Sequence, residues 1–96
     1  MAHTCNIFCK DDLHAVCVLR KRPDHAPIVE DYHSLGFEVV HIRQATEVHL
    51  DDWRAQMTHC VTIQDGVRVR LPITDRNAMK DYRYAFLVFL RRKGGR

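Results

Sequence analysis

Short apolar runs separated by polar residues divide the first part of the chain. The runs Cys5 to Cys9 and His14 to Arg20 are rich in Cys, Ile, Phe, Val and Leu, and the polar "KDD" lies between them. Two apolar runs of strand length joined by a short polar stretch are typical of a β-hairpin. The pattern therefore predicts a first hairpin, which Pro23 ends.

The next apolar positions recur at helical spacing. Asp24 can cap a helix, and its first turn tolerates Pro27 because the first amides of a helix have no intrahelical partner. One face of this helix carries Ile28, Tyr32 and Leu35. Gly36 is suited to the left-handed position that ends a helix. The pattern predicts a helix from about Asp24 to Gly36.

A strand and a second helix are predicted to follow. The stretch "FEVVHIR" is apolar enough on both faces for a partly buried strand. Thr46 then precedes a segment in which Leu50, Trp53 and Met57 fall on one helical face. We predict a second amphipathic helix here.

The stretch "HCVTIQDGVRVRL" predicts a second hairpin, with two possible loops. A three-residue loop, Gln64 to Gly66, would give one apolar face and would place Cys60, Thr62, Arg68 and Arg70 on the other. Its cross-strand pairs would be Ile63 with Val67, Val61 with Val69, and His59 with Leu71. A two-residue loop, Asp65-Gly66, would set Gln64 opposite Val67 and mix the faces. We predict the three-residue loop for that reason.

The C-terminal region meets the rules for one long helix over residues 75–92. Pro72 stops the sheet, Thr74 caps, Asp75 lies in the first turn, and basic residues followed by Gly94 close the end. One face of the helical wheel gathers Ala85, Ala78, Phe89, Tyr82, Phe86, Met79 and Leu90. A buried strand over "YRYAFLVFL" is the alternative, because a short apolar run alone does not distinguish the two.

Together these elements predict an α+β fold. The expected architecture is a mostly antiparallel sheet of about five strands, two hairpins plus one strand, covered on one side by about three helices. The long C-terminal amphipathic helix closes the core. We expect one domain over residues 1–93 and a mobile tail over 94–96.

Composition supports an ordinary globular protein, with 46% hydrophobic and 28% charged residues. The N-terminal residues lack the features of a secretory signal, and the longest apolar run, Tyr84 to Leu90, is too short to cross a bilayer. We therefore expect a cytoplasmic protein that does not engage a membrane. Its four cysteines, Cys5, Cys9, Cys17 and Cys60, are expected to stay reduced.

Charge is distributed unevenly along the chain. Residues 1–60 carry six Lys/Arg and nine Asp/Glu, whereas residues 61–96 carry nine and three, so the two parts have net charges of −3 and +6. A basic segment on a nearly neutral protein is typical of a surface that binds phosphate or carboxylate groups, although a solvated face is the simpler explanation.

Histidine and cysteine give little support for a metal site. His25, His33, His41 and His49 lie eight residues apart, but the intervening segments share no pattern, so we interpret the interval as accidental. Cys5 and Cys9 are too far apart on a strand to share a tetrahedral ion. A zinc site combining one of them with Cys17, His59 or Cys60 is the alternative to no metal.

Catalytic motifs are equally scarce. The chain has no glycine-rich phosphate loop, nucleophile elbow or metalloprotease motif. His59 near Arg68 and Arg70 could act on a phosphodiester. The predicted hairpin register instead places His59 on the opposite face from the two arginines, so we do not expect an enzyme or a cofactor.

Two functions remain as hypotheses. The first is a small interaction protein, of the inhibitor, adaptor or assembly-factor type, that binds an acidic surface of a protein or nucleoprotein assembly through its basic C-terminal third. The second is a nucleic-acid-binding module that contacts phosphates through Arg and Lys of residues 68–96. Either is compatible with a homodimer.

The predicted binding surface is the outer face of the last helix, where apolar and aromatic side chains lie among basic ones. Its residues are Arg76, Lys80, Arg83, Tyr84, Leu87 and Arg91. A secondary basic patch consists of Arg68, Arg70, Arg92 and Lys93.

Overall fold

The computed structural model describes residues 5–11, 14–46 and 49–93. The predicted tail, 94–96, lies outside these ranges. The elements in chain order are β1 (Cys5–Asp11), β2 (Ala15–Arg20), α1 (Ala26–Ser34), β3 (Phe37–Gln44), α2 (Leu50–Gln56), β4 (His59–Gln64), β5 (Val67–Pro72), a 3₁₀ helix (Arg76–Asp81) and β6 (Tyr84–Arg92).

The six strands form one sheet in the order β3-β6-β2-β1-β4-β5. Every neighbouring pair is antiparallel. The two predicted hairpins, β1-β2 and β4-β5, are confirmed. They meet along β1 and β4, and β3 and β6 complete the sheet on the other side of β2.

Local sequence features account for α1 and its ends. The Asp24 side chain accepts a hydrogen bond from the Ala26 amide at 3.0 Å. Gly36 follows the helix with a φ of 95°, a left-handed conformation that costs glycine little. The predicted first helix is therefore confirmed, as are β3 and α2.

Helices cover both faces of the sheet, contrary to the prediction of one covered side. Adjacent residues of a strand point to opposite faces. On the α1 face, side chains of α1 pack on buried strand residues: Ile28 and Tyr32 on Ile7, Cys9, Val16, Val18, Val61, Phe86 and Val88. On the α2 face, residues after α2 and around the 3₁₀ helix pack on the strands: Met57, Met79 and Tyr82 on Phe8, Leu19, Cys60 and Ala85.

The predicted C-terminal helix is wrong. Asp75, rather than the predicted Thr74, is the cap: its side chain accepts from the Asn77 amide at 3.0 Å, and it caps only the short 3₁₀ helix. The backbone then becomes extended at Tyr82, and β6 enters the sheet between β2 and β3. A strand in this position forms backbone hydrogen bonds on both sides, whereas a helix would leave β2 and β3 without their shared neighbour.

The predicted three-residue loop is also wrong. Gln64 pairs with Val67, so Asp65 and Gly66 alone connect β4 to β5. Their φ angles are 52° and 78°, as expected for a type I′ turn, whose twist matches that of the flanking strands. This register places Arg68 and Arg70 on the α1 face. Their cross-strand partners on that face are Ile63 and Val61.

None of the helices in the described parts of the chain is both long and apolar enough to span a bilayer.

Candidate functional site

An open cleft of about 900 Å³ lies on the α1 face of the sheet, near the turn between β1 and β2. Its basic residues are Arg70, Arg92, His14 and, at the margin, Arg91, whose odd position in β6 directs its side chain to the α2 face. Ala15, Phe37 and Leu90 supply an apolar surface, and Asp11 completes the lining. We call this site the basic cleft. Its mixture of cations and apolar carbon suits a ligand that is both acidic and partly apolar.

The fold brings these side chains together from distant parts of the sequence. β6 ends beside the start of β3, where Phe37 pairs with Arg92 and Glu38 with Arg91. The Leu90 amide donates to the His14 carbonyl at 3.1 Å. The cleft therefore depends on the central position of β6.

Two cleft arginines already bind carboxylates of the same chain. Arg70 Nη1 lies 2.5 Å from Asp11 Oδ2, and Arg91 Nη2 lies 2.8 Å from Glu38 Oε1. Arg92 is exposed and forms no ion pair with any residue that the structure describes. The cleft thus contains both bound and available guanidinium groups.

Lys93 extends the positive charge beyond the cleft. Its Nζ lies 2.9 Å from His33 Nε2 at the end of α1. Its amide donates to the Gly36 carbonyl at 2.9 Å, which fixes the backbone after β6. Three of the four residues of the predicted secondary patch, Arg70, Arg92 and Lys93, consequently lie at this end of the sheet.

The fourth residue of the secondary patch, Arg68, forms an ion pair with Asp31 of α1. Its Nε donates to Asp31 Oδ1 of α1, and Asn6 Nδ2 lies 3.4 Å from the same oxygen. The Asp31 side chain is only 1% exposed. Burial raises the pKa of this carboxyl, while the hydrogen bond and charge of Arg68 act in the opposite direction. Arg68 therefore stabilises the attachment of α1 to β5.

The Cys9 thiol and the Tyr32 hydroxyl are buried between α1 and the sheet, near the cleft. Burial raises the pKa of Cys9 to about 11, and it raises the pKa of Tyr32 above its usual range. Asp11 adds to both increases, whereas Arg70 opposes them. Both groups are neutral near pH 7, so neither provides an ionised nucleophile.

The six residues of the predicted helical surface do not share one face. Tyr84 packs against the core of the α1 face. Leu87, at an odd number of positions from Tyr84 along β6, points to the α2 face and pairs with Cys17 and Arg43. Of the six, only Arg91 lines the basic cleft.

The remaining three lie near α2. Arg76 donates to the carbonyls of Arg54 and Met57 at 3.1 and 3.0 Å, which holds the end of α2 against the 3₁₀ helix. The Lys80 carbonyl accepts from Arg54 at 3.4 Å. Arg83 lines a separate opening of about 610 Å³ with Asp51, Asp52 and other residues of α2.

A paired aromatic surface on the α2 face was missed by the sequence analysis. The rings of His41 and Phe89 have centroids 5.7 Å apart and are tilted by 32°. Arg43 is exposed on the same strand as His41 and pairs with Leu87. The helical prediction assigned Phe89 to the core. The strand alternative for this segment was needed to identify the His41–Phe89 pair from the sequence.

The corrected hairpin register also changes the position of His59. It pairs with Pro72, which places it on the same face as Arg68 and Arg70 rather than opposite to them. His59 Nδ1 lies 2.9 Å from the Thr58 hydroxyl. The residues that line the basic cleft do not include His59.

Cys5 and Cys60 are in contact, with Sγ atoms 2.7 Å apart. Within residues 5–11, 14–46 and 49–93, no three His, Cys, Asp or Glu side chains lie close enough together to hold a metal ion.

Comparisons of the chain with protein-family models, with curated protein sequences and with solved structures find no match.

Proposed function

We propose that this protein is a small non-catalytic interaction module that binds an acidic segment of a partner protein in the basic cleft. The observation that carries the proposal is that Arg70 and Arg92 lie beside the apolar surface of Phe37 and Leu90 in one cleft. A partner segment with acidic and apolar side chains complements both parts of this lining.

The ion pairs formed by arginines that line the cleft support carboxylates as the recognised groups. The planar guanidinium group matches a carboxylate with two parallel hydrogen bonds. Arg70 and Arg91 each already contact one carboxylate, from Asp11 and Glu38. A partner carboxylate at Arg92 would extend the same pattern.

The net charge favours an acidic protein segment over a long polyphosphate chain. Arg70 and Arg92 with Asp11 carry a net charge of +1 when histidine is neutral. Affinity for a nucleic-acid backbone grows with the number of phosphates that basic residues neutralise. A few carboxylates beside apolar side chains require less positive charge.

Charge reversal at Arg92 provides the test. A fluorescently labelled peptide of alternating glutamate and leucine serves as the probe, and binding is measured by anisotropy at two salt concentrations. Arg92→Glu is expected to weaken binding roughly tenfold, equivalent to about 1.4 kcal/mol. The effect should be smaller at high salt because exposed charges are screened.

Arg22→Glu is the matched control, because it makes the same charge change at an exposed position outside the cleft lining. We expect its affinity to remain close to that of the unmodified protein. Equal losses in the two variants would indicate a general charge effect and would contradict specific binding in the cleft. Lack of binding by the unmodified protein would do the same.

Binding of single-stranded nucleic acid is the second candidate, supported by the His41–Phe89 ring pair beside exposed Arg43. Aromatic rings on an open sheet can stack with bases, while neighbouring cations contact phosphates. This candidate predicts that labelled oligothymidylate binds with a steep salt dependence and that Phe89→Ala and Arg43→Glu each weaken it. Arg92→Glu would then have the smaller effect.

A further inference from the structure

Two thiols meet where the N-terminal part of β1 pairs with β4. Cys5 pairs with Thr62 across these strands, and the register shifts between Cys5 and Ile7. This irregularity accompanies a contact between Cys5 and Cys60, whose Sγ atoms lie 2.7 Å apart. The Tyr82 hydroxyl donates to the Cys5 carbonyl at 2.6 Å and holds the backbone there.

This separation is close to that of a covalent bond. A disulfide requires an S–S distance of about 2.05 Å, so the two sulfurs need to approach by roughly 0.7 Å. Cys9 does not compete for either partner, because it is buried in the core of the α1 face. Cys17 lies on β2, where it pairs with Lys10 and Leu87, whereas Cys5 and Cys60 are in direct contact across β1 and β4.

The pair is accessible through an opening on the α2 face. Cys5 and Cys60 line a cleft of about 490 Å³ together with apolar residues such as Phe8, Leu71 and Ile73. Cys5 is half-buried, whereas Cys60 is 8% exposed. A small reagent therefore reaches Cys5 more readily. Burial, followed by the contact with Cys5, raises the pKa of Cys60 to about 12, so Cys60 is the less ready of the two to attack first.

We propose that Cys5 and Cys60 are a redox-modification site that forms a reversible disulfide by exchange with a low-molecular-weight disulfide such as oxidised glutathione. This inference is independent of the function proposed for the basic cleft, which lies on the other face.

The reaction proceeds in two exchanges. The Cys5 thiolate attacks one glutathione sulfur, the glutathione S–S bond breaks, and one glutathione leaves as a thiolate that takes up a proton. Cys60 then loses its proton and attacks Cys5 Sγ, which releases the second glutathione. Two protein thiols are thereby oxidised to one disulfide, and one glutathione disulfide is reduced to two thiols.

The test is equilibration of the purified protein in buffers of increasing oxidised-to-reduced glutathione ratio, followed by alkylation and mass spectrometry. We expect the number of alkylatable thiols to fall from four to two, with a peptide that links Cys5 to Cys60. Reduced glutathione should reverse the change. The oxidised form should have a Tm at least about 5 °C higher, because the cross-link restricts the unfolded chain.

Two variants test whether the disulfide is specific to Cys5 and Cys60. Cys17→Ser should form the same disulfide as the unmodified protein, whereas Cys5→Ser should lose both the linked peptide and the Tm difference. A disulfide that involves Cys9 or Cys17 would overturn the proposal. So would thiols at Cys5 and Cys60 that remain alkylatable in oxidised glutathione alone.

Discussion

Phe86→Ala is expected to lower the free energy of unfolding by about 3 to 5 kcal/mol, the usual cost of removing a buried aromatic ring. Phe86 is 1% exposed. It lies on β6 opposite Val18, in the core beneath α1. Deleting the ring leaves a cavity between the sheet and the helix that neither can close completely. Urea unfolding followed by circular dichroism measures the change.

Phe89→Ala is the matched control on the same strand. Phe89 is half-buried and points to the α2 face beside His41, so we expect less than half of the Phe86 effect. A C-terminal helix would instead place both phenylalanines on the core side of one wheel. Equal losses of stability would therefore contradict the strand assignment of β6, and unequal losses would support it.

Arg68→Ala is expected to destabilise the protein by about 2 to 4 kcal/mol. Removal of one partner of a fully buried ion pair typically costs about 3 to 5 kcal/mol. We expect somewhat less here because the Arg68 side chain is 31% exposed and water can partly replace it. The loss arises because Asp31, 1% exposed, retains its charge without its cationic partner. Urea unfolding near pH 7 measures the effect.

A second substitution distinguishes two causes of the loss of stability in Arg68→Ala: the unpaired charge of Asp31 and the lost packing of the arginine side chain. Asp31→Asn in the Arg68→Ala background should recover much of the stability, because the amide removes the buried charge. Arg70→Ala provides an exposed comparison, because the side chains of Arg70 and Asp11 are each about one third exposed. We expect this substitution to lower the free energy of unfolding by no more than about 1 kcal/mol. Failure of Asp31→Asn to recover stability would contradict an electrostatic origin.

The pH dependence follows from the direction of the Asp31 pKa shift. Burial raises the pKa of Asp31 above its ordinary value of 3.8 in the folded protein. The folded state then binds this proton more tightly than the unfolded state, so the contribution of Asp31 to stability falls as pH rises from 3.8 through the folded pKa. Arg68→Ala should raise the folded pKa further and extend this loss to higher pH. Unfolding experiments across pH should show the extension, and Asp31→Asn should abolish it.

The elements predicted correctly are those whose ends or residue spacing are marked by residues within or next to the element. At α1, His25 is the N-cap and makes no side-chain cap bond, whereas Asp24, just before it, accepts from the Ala26 amide, and left-handed Gly36 follows the helix. The helical spacing of Leu50 and Trp53 likewise identifies α2, although Met57, predicted on the same face, follows the helix in an extended conformation. In both cases the information lies within one turn of the element, so tertiary context was not needed.

β6 escaped prediction because it is buried on both faces. Its even-numbered residues, such as Phe86 and Val88, pack under α1, while Ala85 packs beneath the 3₁₀ helix. Such a strand has no alternation of polar and apolar residues, and its continuous apolar run also fits a helical wheel. The short apolar length was the available indication of a strand, but the helix-start and helix-end signals at Thr74, Asp75 and Gly94 outweighed it.

The β4-β5 loop escaped prediction for a different physical reason. We preferred the register that gave the hairpin one apolar face, which put Arg68 and Arg70 on the other face from Val61 and Ile63. The structure places both on the same face as Val61 and Ile63 and pairs them with Asp31 and Asp11. The basic cleft was inaccessible to sequence analysis for the same reason, because its arginines converge only through this register and the central position of β6.

The strand order also has a consequence for biosynthesis. β3 has β6 as its neighbour in the sheet, and β6 also separates it from β2. A nascent chain that has emerged only as far as Arg83 can form the β1-β2 and β4-β5 hairpins, but β3 has no strand on which to pair. Closure of the sheet must therefore await residues 84–92, and until then the edges of β2 and β3 remain open to chaperones or to neighbouring nascent chains.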